Sequence, residues 1–261
     1  LLFGIWIGLS FMMKTFPVFV PLLSLLPFLL KKRKILFSKF FWIGLLIGFV
    51  PFLFWASSIN PYLDKNIILY LFEKFNILSN QNTFTNPIYY YLWNIPVTYL
   101  PWSVFGIIGI IYNLYESKKN KYILVFFPLM LIAILSIFST KTPYYTLQIS
   151  SILALNSYVG IRCLFNSEKY KYIFIFVTSK IIPLIILLLT LTYYFFFKNI
   201  INFNFKENTF LILGLLFLGL SWSFINDKNS FRKILITLII GPYLLTSFFL
   251  QSGLFTDRSR D

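Results

Sequence analysis

The sequence predicts an all-α fold, a polytopic transmembrane helical bundle, on three observations. Hydrophobic residues make up 58% of the 261-residue chain and charged residues only 12%, about half the charged share of a soluble domain. The apolar residues fall in stretches of near-spanning length separated by short polar loops. The 23 lysines and arginines alternate between loops rather than gather in one patch. The net charge of +15 is therefore a topology signal, and no nucleic-acid partner is expected.

Nine hydrophobic segments are predicted, at about 1–13, 15–30, 40–57, 97–114, 122–138, 145–164, 172–197, 209–225 and 234–250. The first two are short for a crossing. Pro17, Pro21 and Pro27 predict an irregular second segment. The loop at 31–39 holds Lys31, Lys32, Arg33, Lys34 and Lys39, and the loops near 116–121, 162–171 and 228–233 hold three basic residues each. That side of the chain carries 14 basic residues and the other side 7, which makes the first side cytoplasmic. Lys14, the 58–96 loop, the Lys141 turn and the C-terminal tail then face outward. The domain reading is one transmembrane helical domain over 1–250 with an outer loop at 58–96, followed by the start of a truncated extracytoplasmic tail at 251–261. Inside the loop, the run Ile67 to Phe75 has the spacing of a helix lying on the membrane surface. The chain opens without an initiator methionine or a signal peptide's basic region, and a longer parent protein is expected. The excess of Phe, Tyr, Ile, Asn and Lys suggests an AT-rich bacterial genome, and the expected location is a bacterial plasma (inner) membrane.

Several chemistries are excluded at this stage. There is no histidine, which removes His-based triads, most zinc sites and the usual near-neutral proton shuttle. The single Cys163 excludes an internal disulfide and reads as an inert thiol. No carboxylate pair, glycine-rich phosphate loop or serine elbow stands out. Lys180, a few residues inside a predicted span, reads as a lysine snorkelling to the interface.

Two outward points carry polar groups on an otherwise apolar chain: Lys14, which closes Gly8-Leu9-Ser10-Phe11-Met12-Met13-Lys14, and Lys141, in Ser139-Thr140-Lys141-Thr142-Pro143-Tyr144-Tyr145. A lysine near the outer interface can hold a lipid phosphate by a charge-assisted bond. The first stretch is similar to the small-apolar-Leu…Lys-Gly stretch of glycosyltransferase family 39, with Thr15 in place of the usual glycine. This family includes protein O-mannosyltransferases and lipid A aminoarabinose transferases and has the GT-C membrane fold. Asn86-Pro87-Ile88-Tyr89-Tyr90-Tyr91-Leu92, followed by Leu100-Pro101-Trp102, resembles its outer-loop signature, although Thr85 and Asn86 stand where many members carry Arg or His. Ser139, Lys141, Pro143, Tyr144 and Tyr145 resemble its Ser-x-x-Lys-x-Pro-x-Tyr turn, without the prolines that usually follow. Gly253 to Arg260 resembles the start of its outer C-terminal region.

The resemblance implies a GT-C-like fold and transfer of a sugar from a polyprenyl-phosphate donor to a hydroxyl of a lipid, glycan or protein. It implies that Lys14, Lys141, Tyr144 and Tyr145 bind the donor phosphate, that Tyr89 and Tyr90 shape the pocket, and that membrane lipids are partners. A divalent metal is optional in the family, and no cofactor is assigned. The family's catalytic carboxylate lies on a first outer loop that would precede this chain. No catalytic residue is therefore nominated, and the piece is expected to be inactive alone. A transporter or flippase of a lipid-linked saccharide is the alternative, and a membrane scaffold subunit is a third.

Overall fold

The computed structural model describes residues 1–14, 16–60, 66–80, 85–116, 120–197 and 205–252. They are helical apart from turns and one isolated antiparallel bridge, Thr85 with Thr140. In chain order the α-helices are α1 (Leu2–Lys14), α2 (Phe19–Ser24), α3 (Leu26–Lys31), α4 (Arg33–Leu36), α5 (Lys39–Ile59), α6 (Ile67–Asn80) and α7 (Tyr90–Thr98). They continue with α8 (Trp102–Tyr115), α9 (Phe127–Ile137), α10 (Ser150–Asn166), α11 (Glu168–Phe176), α12 (Ile182–Thr192), α13 (Phe205–Ser223) and α14 (Phe231–Ser252).

Four continuous helices are long and apolar enough to cross a membrane: Lys39–Ile59, Pro143–Asn166, Glu168–Phe195 and Phe231–Ser252. Among the described residues a fifth is reached if α7 and α8, bent by 116° at their break, count as one span. Only 17 to 33% of each long helix's apolar window is buried inside the protein, so the remaining apolar faces are matched by lipid. The chain is an all-α, multi-pass membrane protein. The nine predicted segments do not all become long helices. The second breaks at Leu25 into α2 and α3, with Pro27 in the first turn of α3, where its missing N–H costs nothing. The first, the fifth and the eighth form shorter apolar helices, Leu2–Met12, Tyr122–Ile137 and Asn208–Ser223.

Prolines also mark two π-helical turns. Tyr122–Phe126 leads into α9 and Val177–Ile181 joins α11 to α12. Each is followed at the second residue by a proline, Pro128 or Pro183. A proline cannot donate to the helical ladder, and the extra residue of a π turn is accommodated beside the missing bond.

The chain divides into two compact units, Leu1–Ile161 and Arg162–Asp261. In the first, α1 packs along α5. Gly4 and Gly8 meet Gly44 and Gly48 there, and the backbones touch: a Cβ on Gly8 would stand 2.6 Å from the Leu45 carbonyl oxygen. The core of this unit gathers Val20, Tyr90, Tyr91, Ile95, Phe127, Leu131, Leu135, Ile149 and Leu153. Beside it, Asn113 Nδ2 donates to Asn156 Oδ1 at 2.9 Å, and Asn156 Nδ2 donates to the carbonyls of Leu124 (2.8 Å) and Ile152 (3.1 Å). Asn156 is fully buried, so its amide ties α8, α10 and the turn before α9 together. Replacing Asn156 with leucine should cost about 1–2 kcal/mol, mostly by orphaning the Asn113 amide, and Asn113→Leu in the same chain should recover part of it. A double-mutant cycle on the detergent melting curve reads this coupling, and simple additivity would refute it.

In the second unit α13 packs on both α12 and α14. Ile234 and Leu238 of α14 are fully buried. The Trp222 indole N–H donates to the Leu238 carbonyl at 3.4 Å, and the Tyr193 hydroxyl donates to Asn208 Oδ1.

Candidate functional site

The turn after α9 carries the candidate site. α9 ends at Phe138, where the backbone becomes extended. Thr140, Lys141 and Thr142 follow, each at most 7% exposed, and a 3-10 helix over Pro143–Ile149 then leads into α10. A lysine in a short polar turn reads as an exposed residue by composition; here it is 4% exposed. Its Nζ donates to the Phe138 carbonyl at 2.6 Å, where the negative end of the α9 dipole favours a cation. Among the described residues no carboxylate stands within ion-pair distance of it. An ammonium has three donors, so this one keeps charge and donors for a further acceptor.

The 85–99 segment is held against this turn. Thr85 forms its bridge with Thr140. Asn86 Nδ2 donates to the Lys141 carbonyl at 3.0 Å, and the Tyr91 hydroxyl donates to the Thr142 carbonyl at 3.3 Å. One turn further along, the hydroxyls of Tyr99 and Thr146 share a hydrogen bond of 3.3 Å, and Thr146 Oγ1 also donates to the Pro143 carbonyl at 2.6 Å. Two stretches about fifty residues apart in sequence therefore form one hydrogen-bonded patch.

The patch contains an excess of unsatisfied oxygen. Three buried side-chain oxygens lack a hydrogen-bond partner among the described residues, and all three lie on these two segments: Asn94 Oδ1, Thr142 Oγ1 and Gln148 Oε1. Each such group costs about 1–3 kcal/mol when left unpaired. Their concentration on the two elements that meet at Lys141 is the feature composition could not show.

The other site residues fall as follows. Tyr89 is exposed at the start of α7. Tyr90 lies in the hydrophobic core, with its ring edge-on to Tyr91 and Trp93. Tyr144 is 55% exposed, and its ring sits edge-on to that of Tyr145 with centroids 4.7 Å apart. Tyr145, half-buried, packs against the core cluster. The backbone of Lys14 ends α1, but its side chain lies outside the described residues, as does the 253–261 stretch. Five acidic residues fall on the side predicted to face outward: Glu73 is exposed on α6, Glu207 lies on α13 with its side chain outside the described residues, and Asp64, Asp257 and Asp261 are outside the described residues. Among the described residues no group of three His, Cys, Asp or Glu side chains could hold a metal ion.

Sequence reasoning missed Tyr91, Asn94, Tyr99 and Gln148. Their signal is local: Tyr91, Ile95 and Tyr99 recur every four residues, and that stripe packs into the core. Compared with protein-family models, with curated proteins and with solved structures, the chain matches none.

Proposed function

We propose that this chain is the membrane part of a glycosyltransferase of the family 39 kind, which takes a sugar from a polyprenyl-phosphate donor. The observation that carries the reading is the meeting of the Tyr89–Tyr91 segment with the Lys141 turn around a buried ammonium free of any described carboxylate. These are the two stretches whose residues resemble the family's outer motifs. Lys141 holds the donor phosphate, with Tyr144 and Tyr145 as hydroxyl donors and Lys14 as a second cation. Tyr89 borders the entrance. Asn94, Thr142 and Gln148 supply the unpaired oxygens that sugar hydroxyls satisfy. The polyprenyl tail runs along the apolar helix faces. In the reaction an acceptor hydroxyl of a lipid, glycan or protein attacks the anomeric carbon. The bond from that carbon to the phosphate oxygen breaks, the polyprenyl phosphate leaves with the electron pair, and the hydroxyl proton passes to a general base. The three shorter apolar helices, with α2 and α3 taken together as one broken crossing, bring the crossings to nine in a bacterial plasma membrane.

A binding competition tests this reading. The full chain, reconstituted in nanodiscs, should bind a fluorescent polyprenyl-phosphate sugar, and unlabelled polyprenyl phosphate should displace it. Uncharged polyprenol of the same length should displace it at least about tenfold less well, because it lacks the charge-assisted bond. Equal competition by the two would remove the phosphate site.

A second reading, a carrier of lipid-linked saccharide, draws on the 116° break between α7 and α8, since discontinuous helices are where carriers bind substrate. A carrier moves the intact labelled donor across proteoliposomes. A transferase releases polyprenyl phosphate instead when an acceptor is supplied.

A further inference from the structure

The second unit contains a polar cavity that the proposed transfer does not use. It measures about 470 Å³, within the roughly 300–1,000 Å³ typical of ligand clefts. Its wall is built from the π turn Val177–Ile181 on one side and the end of α13 with the following turn on the other. Its polar lining includes Ser179, Lys180, Asn226 and Asp227, together with Tyr172 and with Ser223, whose hydroxyl donates to the Leu220 carbonyl at 2.7 Å. A second cavity, about 300 Å³, shares Ser179, Lys180 and Ser223 with the first. It continues between α12 and α13 past Leu184 and Leu216, and its wall is almost wholly apolar. A polar chamber thus opens into an apolar slot.

The charges in the chamber are not used by the fold. Lys180 and Asp227 are exposed and make no ion pair with one another. Ser179 is 6% exposed and lines both cavities. Its neighbour Thr178 behaves as a helical hydroxyl does, donating to the Phe174 carbonyl at 2.8 Å. Ser179 and Lys180 are consecutive on the π turn, and both line the cavity. A lysine that only snorkels needs no buried hydroxyl beside it and no acid across from it.

We propose that the second unit binds a membrane phospholipid with a zwitterionic, primary-ammonium head group. The phosphate lies on Lys180 and the Ser179 hydroxyl, the ammonium on Asp227 and the Asn226 side chain, and one acyl chain in the slot between α12 and α13. One cation and one anion line the chamber, so a head of zero net charge matches it better than an anionic one. The donors of a primary ammonium suit a carboxylate and an amide oxygen, and a quaternary ammonium has none to offer. The slot supplies the apolar surface that a tail requires. The proposal rests on the second unit alone and stands apart from the reaction proposed above.

The test uses the full chain, purified in detergent and stripped of lipid. It is titrated with dioctanoyl phosphatidylethanolamine, phosphatidylcholine and phosphatidylglycerol, and binding is read by native mass spectrometry. Phosphatidylethanolamine is expected to bind about tenfold more tightly than either of the others. Asp227→Asn should bring phosphatidylethanolamine down to the level of phosphatidylcholine, and Lys180→Met should weaken both by about tenfold. Both side chains are exposed, so the variants should melt with the wild type. If either melts lower, Asp227→Glu or Lys180→Arg must restore binding. Tighter binding of phosphatidylglycerol, equal binding of all three lipids, or unchanged phosphatidylethanolamine binding in both variants would each overturn the proposal.

Discussion

Gly48→Leu is expected to destabilise the first unit by at least about 3 kcal/mol, the upper part of the range for overpacking. The contact is backbone on backbone. A Cβ at Gly48 falls onto the carbonyl of Ile5, and one at Gly44 falls onto that of Leu1. Neither obstacle is the tip of a flexible side chain, so α1 and α5 must move apart along their whole shared length. Close approach of this kind is what small residues four apart provide between membrane helices, where the solvent gives little driving force for association. The separation would also pull at Phe11, whose ring meets Phe49 edge-on at 5.2 Å and Phe19 at 5.3 Å. The control is Gly219→Ala in α13, where the added methyl meets Ile186 at 3.5 Å, an ordinary contact. That variant should hold or gain up to about 1 kcal/mol through helix propensity. Melting in detergent measures both, and a wild-type midpoint for Gly48→Leu would mean that the two helices do not touch as described.

The sequence is most legible where the pattern is longest. The segments at 40–57, 145–164, 172–197 and 234–250 sit inside the helices Lys39–Ile59, Pro143–Asn166 and Phe231–Ser252, or nearly coincide with Glu168–Phe195, because a sustained apolar run has only one stable form in lipid. The surface run at 67–75 likewise lies inside α6. Helix α7 was harder to see. Pro87, Pro96 and Pro101 bracket or interrupt it, and its helical signal is spread over Tyr90, Tyr91, Asn94 and Ile95, which are the residues it buries. The glycine spacing of α1 and α5 is visible in the sequence, but its partner is not, since only the fold pairs the first helix with the fifth. The same holds at the candidate site. Lys141 is recognisable as an outward lysine, whereas its burial depends on Asn86 and Tyr91 closing over the turn from fifty residues away. Burial is a property of the pairing, and the pairing is long-range.

Lys141→Met is expected to weaken donor binding by about ten- to a hundredfold, the equivalent of one charge-assisted hydrogen bond. Its cost in stability should be smaller, about 1 kcal/mol. Methionine keeps most of the apolar stem and loses the charge and the bond to the Phe138 carbonyl. The two quantities separate the two roles that the geometry allows. A lysine that only caps α9 would change the melting midpoint and leave binding alone. A lysine that holds phosphate changes binding well beyond what the lost stability explains. Arginine sharpens the comparison: it keeps the charge and can still reach a phosphate, but its larger head must fit a niche that leaves the native residue 4% exposed. Lys141→Arg should therefore melt lower than wild type and yet bind donor better than Lys141→Met. If methionine and arginine bind donor equally, the charge is not what the donor meets, and the phosphate assignment fails while the cap at the end of α9 stands.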